Sequence, residues 1–248
     1  MYQEQRLQKI LDVVEEKGRL SSKEAISLMK VSRDTIRRDF GILAEKNLVI
    51  RKHGGILALQ KSQILLSFEE RLKNLVHEKD AIAQNALQLI ENNHLYFFDV
   101  STSILRLSQL IDKEVTIYSH SLDNALVLGQ DESIDFHLLG GQFHHKNRFY
   151  YSIREAELLQ NIHFDIAFIG AGGLKSGVVT FEDEADAYIK SLVLKNTKTK
   201  VLLAEQDKFN KQSNFVLTNV NNFDYLITDK EPNATVKQLL SPELTLIY

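Results

Sequence analysis

Residues 31–43 read VSRDTIRRDFGIL, and residues 51–55 read RKHGG. In the first stretch Ile36, Phe40 and Leu43 recur at helical spacing, so a helix of about 14 residues is expected from Arg33 to Lys46. Ser32 precedes it as N-cap. The outward face carries Arg33, Asp34, Thr35, Arg37 and Arg38, gathered toward the N-terminal half, and Asp39 is expected to orient a neighbouring arginine. Upstream, Leu7, Ile10, Leu11 and Val14 mark one face of a first helix, with Gly18 as its stop. Ser21-Ser22-Lys23-Glu24 reads as a capping box opening a second helix that runs to about Met29 with Ala25, Ile26 and Met29 inward. Helix, helix, the three-residue turn Lys30-Val31-Ser32, then helix is the helix-turn-helix layout, whose last helix enters the DNA major groove. Downstream, residues 48–57 place two apolar runs around a basic segment and two glycines, which predicts a β-hairpin, the wing. The candidate DNA contacts are Ser32, Arg33, Thr35, Arg37 and Arg38 on the helix and Arg51, Lys52 and His53 on the wing. An arginine there can grip guanine O6 and N7 with two hydrogen bonds.

Charge agrees with this division. Residues 1–58 carry 12 Lys+Arg against 8 Asp+Glu, and residues 59–248 carry 18 against 25, within a net −3. A basic head on an acidic body fits a head that meets a polyanion. The chain of 248 residues holds 44% apolar and 25% charged residues, an ordinary globular composition that excludes collagen, coiled-coil arrays and wholesale disorder. With no cysteine, a disulfide framework, a thiolate metal site and a cysteine nucleophile are excluded. No apolar run is long enough to span a bilayer, and Met1-Tyr2-Gln3-Glu4-Gln5-Arg6 lacks a signal-peptide layout, so a cytoplasmic protein without membrane partners is expected.

Residues 59–72 read as a linker and residues 73–248 as an α/β domain, with a helical stretch, FEERLKNLVHEKDAIAQNALQLI (68–90), running across that boundary and carrying Ile82, Ala83, Ala86, Leu89 and Ile90 in period. Apolar runs at 95–100, 115–119, 135–139, 165–170, 200–204, 225–228 and 244–247 alternate with helical stretches at 102–110, 122–129, 151–160, 184–196 and 234–240. Buried strands separated by helices predict an open, mostly parallel sheet. Polar clusters follow the strands: Asp99 with Ser101, Thr102 and Ser103; Ser119, His120 and Ser121; Gly140 and Gly141; Gly170, Gly172 and Gly173; and Glu205 with Lys208. Ligands of open α/β sheets bind beyond the carboxyl ends of the strands. These residues are the candidate effector pocket, with a chemistry suited to a phosphorylated, polyhydroxylated small molecule. His144-His145, His120 and His137 lack metal-ligand spacing, and no cofactor is expected.

The stretch VSRDTIRRDFGIL followed by RKHGG resembles the DeoR family of bacterial transcription regulators. The resemblance extends over nearly the whole chain and implies a second domain of ribose-phosphate-isomerase type that senses phosphorylated sugars. The family's phosphate loop, Asp-x-Gly-Thr-Thr, stands here as Asp99-Val100-Ser101-Thr102-Ser103, and its Thr-Asn-Ser loop as Ser119-His120-Ser121. Leu139-Gly140-Gly141, Gly170-Ala171-Gly172-Gly173 and Ile227-Thr228-Asp229 match. The Glu-Ala-x-x-Lys segment becomes Asp186 to Lys190, with Ser191 in place of the arginine that commonly follows, and Asp-x-Ser-Lys-Phe becomes Glu205 to Phe209, where Asp207 adds negative charge beside the expected anion. Gly41 stands inside the third helix, where glycine costs about 1 kcal/mol relative to alanine. Asn47 stands at its C-cap, where the family often has glycine. The resemblance implies a repressor, a homo-oligomer (dimer or tetramer), a double-stranded DNA operator and a phosphorylated sugar effector. Two other readings stay open: a regulator whose altered pocket serves assembly only, and an isomerase-like enzyme using Asp99, Asp186, Glu205 and Lys208.

Overall fold

The computed structural model describes residues 3–45, 48–52, 54–58, 68–74 and 76–248. They form two compact units, divided between Ile64 and Leu65.

The first unit begins with α1 (Gln3–Lys17), stopped by Gly18, whose φ of +73° a side chain would disfavour. A short strand, β1 (Arg19–Ser21), leads into α2 (Ser22–Met29). Ser21 accepts from the Glu24 amide while the Glu24 carboxylate accepts from the Ser21 amide, the expected capping box. Lys30 turns the chain in the left-handed region (φ 52°, ψ 46°). The chain continues as α3 (Arg33–Glu45), β2 (Val49–Lys52) and β3 (Gly55–Ala58). Ser32 Oγ accepts from the Thr35 amide at 3.2 Å, as an N-cap should. The wing is three-stranded, in the order β1-β3-β2. β1, three residues long, carries too short a pattern to be seen in the sequence. Gly55 is required by that third strand: a Cβ there would lie 2.5 Å from the Leu20 carbonyl oxygen. Ile10, Val14, Leu20, Ala25, Met29, Ile36, Phe40, Leu43, Val49 and Ile56 make one core. Within it Asp39 is fully buried and takes two hydrogen bonds from Arg6 (2.5 and 3.0 Å). The arginine it orients is therefore on α1, not a neighbour on its own helix. Asn47 and His53 lie outside the described residues.

The second unit opens with α4 (Phe68–Lys73) and α5 (Val76–Leu87). Residues 68–72 are helical, as the reading of 68–90 expects, and belong to this unit and not to the linker. Phe68 is buried, and its amide donates to the Lys146 carbonyl. There follow β4 (Leu95–Phe98), α6 (Thr102–Ser108), β5 (Val115–Ser119), α7 (Leu122–Leu128), β6 (Ile134–Leu138), β7 (Gln142–His144), β8 (Phe149–Tyr151), α8 (Ile153–Leu158), β9 (Phe164–Gly170), β10 (Val178–Phe181), α9 (Glu184–Lys195), β11 (Thr197–Ala204), β12 (Phe215–Asn219), β13 (Tyr225–Thr228), α10 (Ala234–Lys237) and β14 (Thr245–Ile247).

Seven strands form one parallel sheet in the order β14-β13-β11-β9-β4-β5-β6. Alternate residues supply two cores. Tyr96, Phe98, Phe168, Val201 and Leu203 pack with α5 and α6 residues Ile82, Ala83, Ala86, Ile104 and Leu107. Phe97, Ala167, Ile169, Leu202 and Ala204 pack with α8 and α9 residues Ala156, Ile189, Leu192 and Val193. A sheet covered on both faces needs apolar residues at every position, so its strands read as unbroken apolar runs. Two antiparallel pairs, β7 with β8 and β10 with β12, stand outside the sheet and were not expected. Their strands of three to five residues lack such runs.

The order of strands fixes where a ligand fits. From β4 the chain proceeds to β5 and β6 on one side, and β9, β11, β13 and β14 build the other side. The switch point lies between β4 and β9. Connections leaving the two strands diverge there and open a crevice at their carboxyl ends.

Candidate functional sites in the two units

In the first unit the outward face of α3 and the wing border a concave basic surface. Arg33, Asp34, Arg37, Arg51, Lys52, Gly54 and Gly55 line one depression, and Asp34, Arg37, Arg38 and Arg51 line another. Arg33, Arg37, Arg38, Arg51 and Lys52 are exposed. Thr35 is half-buried, its hydroxyl 2.9 Å from that of Ser32. Gly41 has a local reason that the sequence does not disclose. A Cβ there would lie 3.3 Å from a terminal nitrogen of Arg51, so the bare backbone of α3 leaves room for the wing guanidinium.

In the second unit the switch-point crevice is a polar pocket. Asp99 and Ser101 come from the loop after β4, Gly170 and Gly172 from the end of β9, Asp186 and Lys190 from α9, and Lys208 from the turn after β11. These seven candidates are brought together. Asp99 is fully buried; one carboxylate oxygen accepts from the Gly170 amide at 2.7 Å, and the other, Oδ1, has no partner. Lys190 Nζ stands 3.4 Å from Asp99, 2.5 Å from Asp186 and 3.7 Å from the centre of the Phe181 ring. Burial raises the Asp99 carboxyl above its ordinary range against the pull of Lys190. Burial would raise Asp186 as well, but there Lys190 and His120 outweigh it and hold the group at about 2. Ser101 caps α6 through the Ile104 amide, and its side chain fills the space over Gly170, where a Cβ would come within 2.3 Å of it.

The other candidates do not line the pocket. His120 is fully buried behind it. Its Nε2 meets Asp186 at 2.9 Å, its ring stacks on Phe97, and its Nδ1 has no partner. Ser119 accepts from the Ser121 amide and the Asn124 side chain, and Ser121 caps α7. Gly140 and Gly141 form a turn in which a Cβ on Gly141 would meet the Tyr151 carbonyl at 2.2 Å. One cause accounts for all five displacements: β8 and its loop lie over this region, with the Tyr150 amide donating to His120 and the Leu122 amide to Arg148. Thr102 and Ser103 are buried in α6, where Ser103 donates to Glu205 at 2.6 Å. Gly173 bridges Thr180. Asp207 pairs with Lys211, and its charge also acts on Lys208.

Four polar lining residues escaped the sequence reading: Arg71, Asn147, Glu182 and Asp183. Arg71 lies in the stretch read as helical, but the domain boundary drawn at residue 73 left it with the linker and outside the candidate pocket. Asn147 belongs to the unforeseen β7–β8 hairpin. Glu182 pairs with Lys146, and Asp183 caps α9 and meets His144 Nδ1 at 3.3 Å. Among the described residues no group of three His, Asp or Glu side chains could hold a metal ion.

A winged helix with a basic face, followed by an α/β unit that opens a polar pocket at its switch point, defines a DNA-binding regulator with a sensor domain. Comparison with known proteins agrees. Residues 6–62 match the DeoR-like helix-turn-helix domain, and residues 74–230 match the DeoR C-terminal sensor domain. The chain is 34% identical to the HTH-type transcriptional repressor GlcR of Bacillus subtilis, over 97% of this chain and 93% of that one. It is 29% identical to the HTH-type transcriptional regulator GolR of Listeria innocua, over 95% and 94%. It is 26% identical to the glycerol-3-phosphate regulon repressor of Escherichia coli, over 97% and 96%. Ribose 5-phosphate isomerase A of Methanocaldococcus jannaschii superposes on 53% of the chain with a TM-score of 0.39 and 14% identity. The chain belongs to the DeoR family of transcription regulators, and its partner is DNA. Among the described residues no helix is long and apolar enough to cross a membrane.

Proposed function

We propose that the protein is a repressor of carbohydrate-metabolism genes, that Arg33, Arg37, Arg38, Arg51 and Lys52 meet its operator, and that a phosphorylated sugar in the switch-point pocket controls it. The observation that carries this reading is the pocket itself, where Arg71, Lys190 and Lys208 share the lining with Asp99, whose Oδ1 has no partner among the described residues and is an acceptor suited to a sugar hydroxyl. The names of the relatives, among them repressors of glycerol-3-phosphate and lactose phosphotransferase systems, point the same way. The pocket binds without turnover: an effector favouring one arrangement of the heads shifts the population away from DNA. The protein acts as an oligomer in the cytoplasm. A dimer would read half-sites about one helical turn apart, and Ile153, Leu158 and Val216 leave large apolar side chains exposed for association.

Selection of DNA from a random pool with the full-length protein, followed by competition with phosphorylated sugars, tests the reading. One phosphorylated compound should weaken the complex while its unphosphorylated form does not. If none does, the sensor unit serves assembly alone.

Two substitutions probe the DNA face. Arg37→Ala should weaken binding to the selected site by about 1–3 kcal/mol and relax one base position. A uniform loss across sequences would make Arg37 a phosphate contact. Gly41→Ala should raise the melting temperature of the first unit, since alanine favours the helix by about 1 kcal/mol. It should also weaken DNA binding, because the new methyl crowds Arg51. Anisotropy titration that finds unchanged affinity would detach Arg51 from the interface.

A further inference from the structure

The side chains around the pocket differ in how far their charge is already committed. Lys190 is engaged by Asp99, Asp186 and the Phe181 ring. Lys208 is buried, and its ammonium stands 3.8 Å from Glu205, too far for a hydrogen bond. Arg71 donates one hydrogen bond, to Asn147 Oδ1 at 3.0 Å, while its Nε is buried with no partner. Its guanidinium carbon lies 5.6 Å from the centre of the Phe68 ring. A guanidinium offers five donors in a planar fork and accepts nothing. Left short of partners, that fork is built to be completed by two oxygens of one anion, a phosphate above all.

Arg71 is also anchored with care. The buried Lys79 ammonium donates to the backbone carbonyls of Arg71 and Asn74, pinning the end of α4 to α5. The Phe68 amide and the Arg71 side chain are held by consecutive residues, Lys146 and Asn147, in the loop of the β7–β8 hairpin. A flexible surface arginine needs none of this.

We propose that Arg71, with Lys208 beside it, grips the anionic end of the effector, while the unpartnered Asp99 Oδ1 takes a hydroxyl from its other end. The inference rests on the switch-point pocket being the effector site and adds the direction in which the ligand lies. α4 is the first described element after the DNA-binding unit along the chain.

The test uses full-length protein, inorganic phosphate, glycerol 3-phosphate, and hexose 1- and 6-phosphates beside their bare sugars, read by calorimetric titration and by release of the selected DNA site. The wild type should bind one phosphorylated compound. Arg71→Gln should bind it about tenfold or more weakly, the loss expected for a charge-assisted hydrogen bond, and should release DNA only at correspondingly higher concentration. Its preference for the phosphorylated over the bare sugar should fall with it, which general damage to the pocket would not produce. Arg71→Lys, which keeps the charge but not the fork, should lose less, and it carries the test if the glutamine variant does not fold. Unchanged affinity in both variants overturns the role of Arg71 and leaves the pocket reading standing. A wild type that binds none of the phosphorylated compounds overturns the pocket reading and this inference with it. A wild type that binds inorganic phosphate as tightly as any sugar phosphate overturns the hydroxyl role of Asp99.

Discussion

Asp39→Ala is expected to abolish the thermal transition of the DNA-binding unit while the sensor unit still melts cooperatively. Asp39 has no exposed surface and receives both of its hydrogen bonds from Arg6, which is itself 8% exposed. The pair joins α1 to α3 inside a core otherwise made of aliphatic and aromatic side chains. Removing the carboxylate breaks the buried ion pair that joins the two helices, a change that costs up to about 3–5 kcal/mol. A unit of about 60 residues has roughly 3–9 kcal/mol in total, so the loss takes most of its stability. The pair is not irreplaceable in energy. Arg6→Met combined with Asp39→Leu should restore much of the stability, because two apolar side chains need no desolvation. Differential scanning calorimetry of the full chain checks both variants. An Asp39→Ala protein that melts within about 2 °C of the wild type would show that water reaches Arg6 readily.

Lys190→Met is expected to be the most damaging single change in the sensor unit, and its cost should depend on pH. The ammonium, 1% exposed, stands between Asp99 and Asp186. Without it two carboxylates face one another in the interior, at a cost of about 3–5 kcal/mol at pH 7. In the native protein Asp186 is held down at about 2, below the ordinary 3.8 of an aspartate. Its contribution to stability is therefore present above about pH 4 and lost as the pH falls toward 2. In the variant the sign reverses. Asp99, already raised by burial, loses the cation that opposes the rise, and Asp186 keeps only His120, so the carboxyls destabilise the protein at neutral pH and cease to do so once protonated. Urea unfolding at pH 7 and pH 5 should find the variant much closer to the wild type at the lower pH. Parallel losses at both pH values would mean that the methionine cavity, not the unpaired charge, carries the cost.

These two ion pairs mark the boundary of what the residues announce by themselves. Asp39 occupies a buried position on α3, yet nothing in its neighbourhood along the chain names Arg6, 33 residues away. Lys190 and Asp186 are one helical turn apart and legible as a pair, but Asp99 joins them only because β4 passes close to α9. His120 illustrates the reverse error. It stands after a strand, where a ligand contact is expected, and it is sealed off because β8 passes over it.

The sequence by itself determined the elements and the layer they belong to. Seven apolar runs became the seven strands of the sheet because a sheet covered on both faces demands such runs. The capping box at Ser21 and Glu24 set out the second helix, and the cap at Ser32 with the inward row Ile36, Phe40 and Leu43 set out the recognition helix, because these are short-range interactions between residues within about two turns. Only the tertiary structure decided which polar residues share a pocket. That required the strand order, which places Asp99 beside Gly170, and the antiparallel hairpin β7–β8, which covers Ser119 to Ser121 and brings Asn147 to Arg71. Such contacts join residues as far as 71 and 76 positions apart, whose meeting depends on how the whole chain packs and leaves no periodic trace in any one segment.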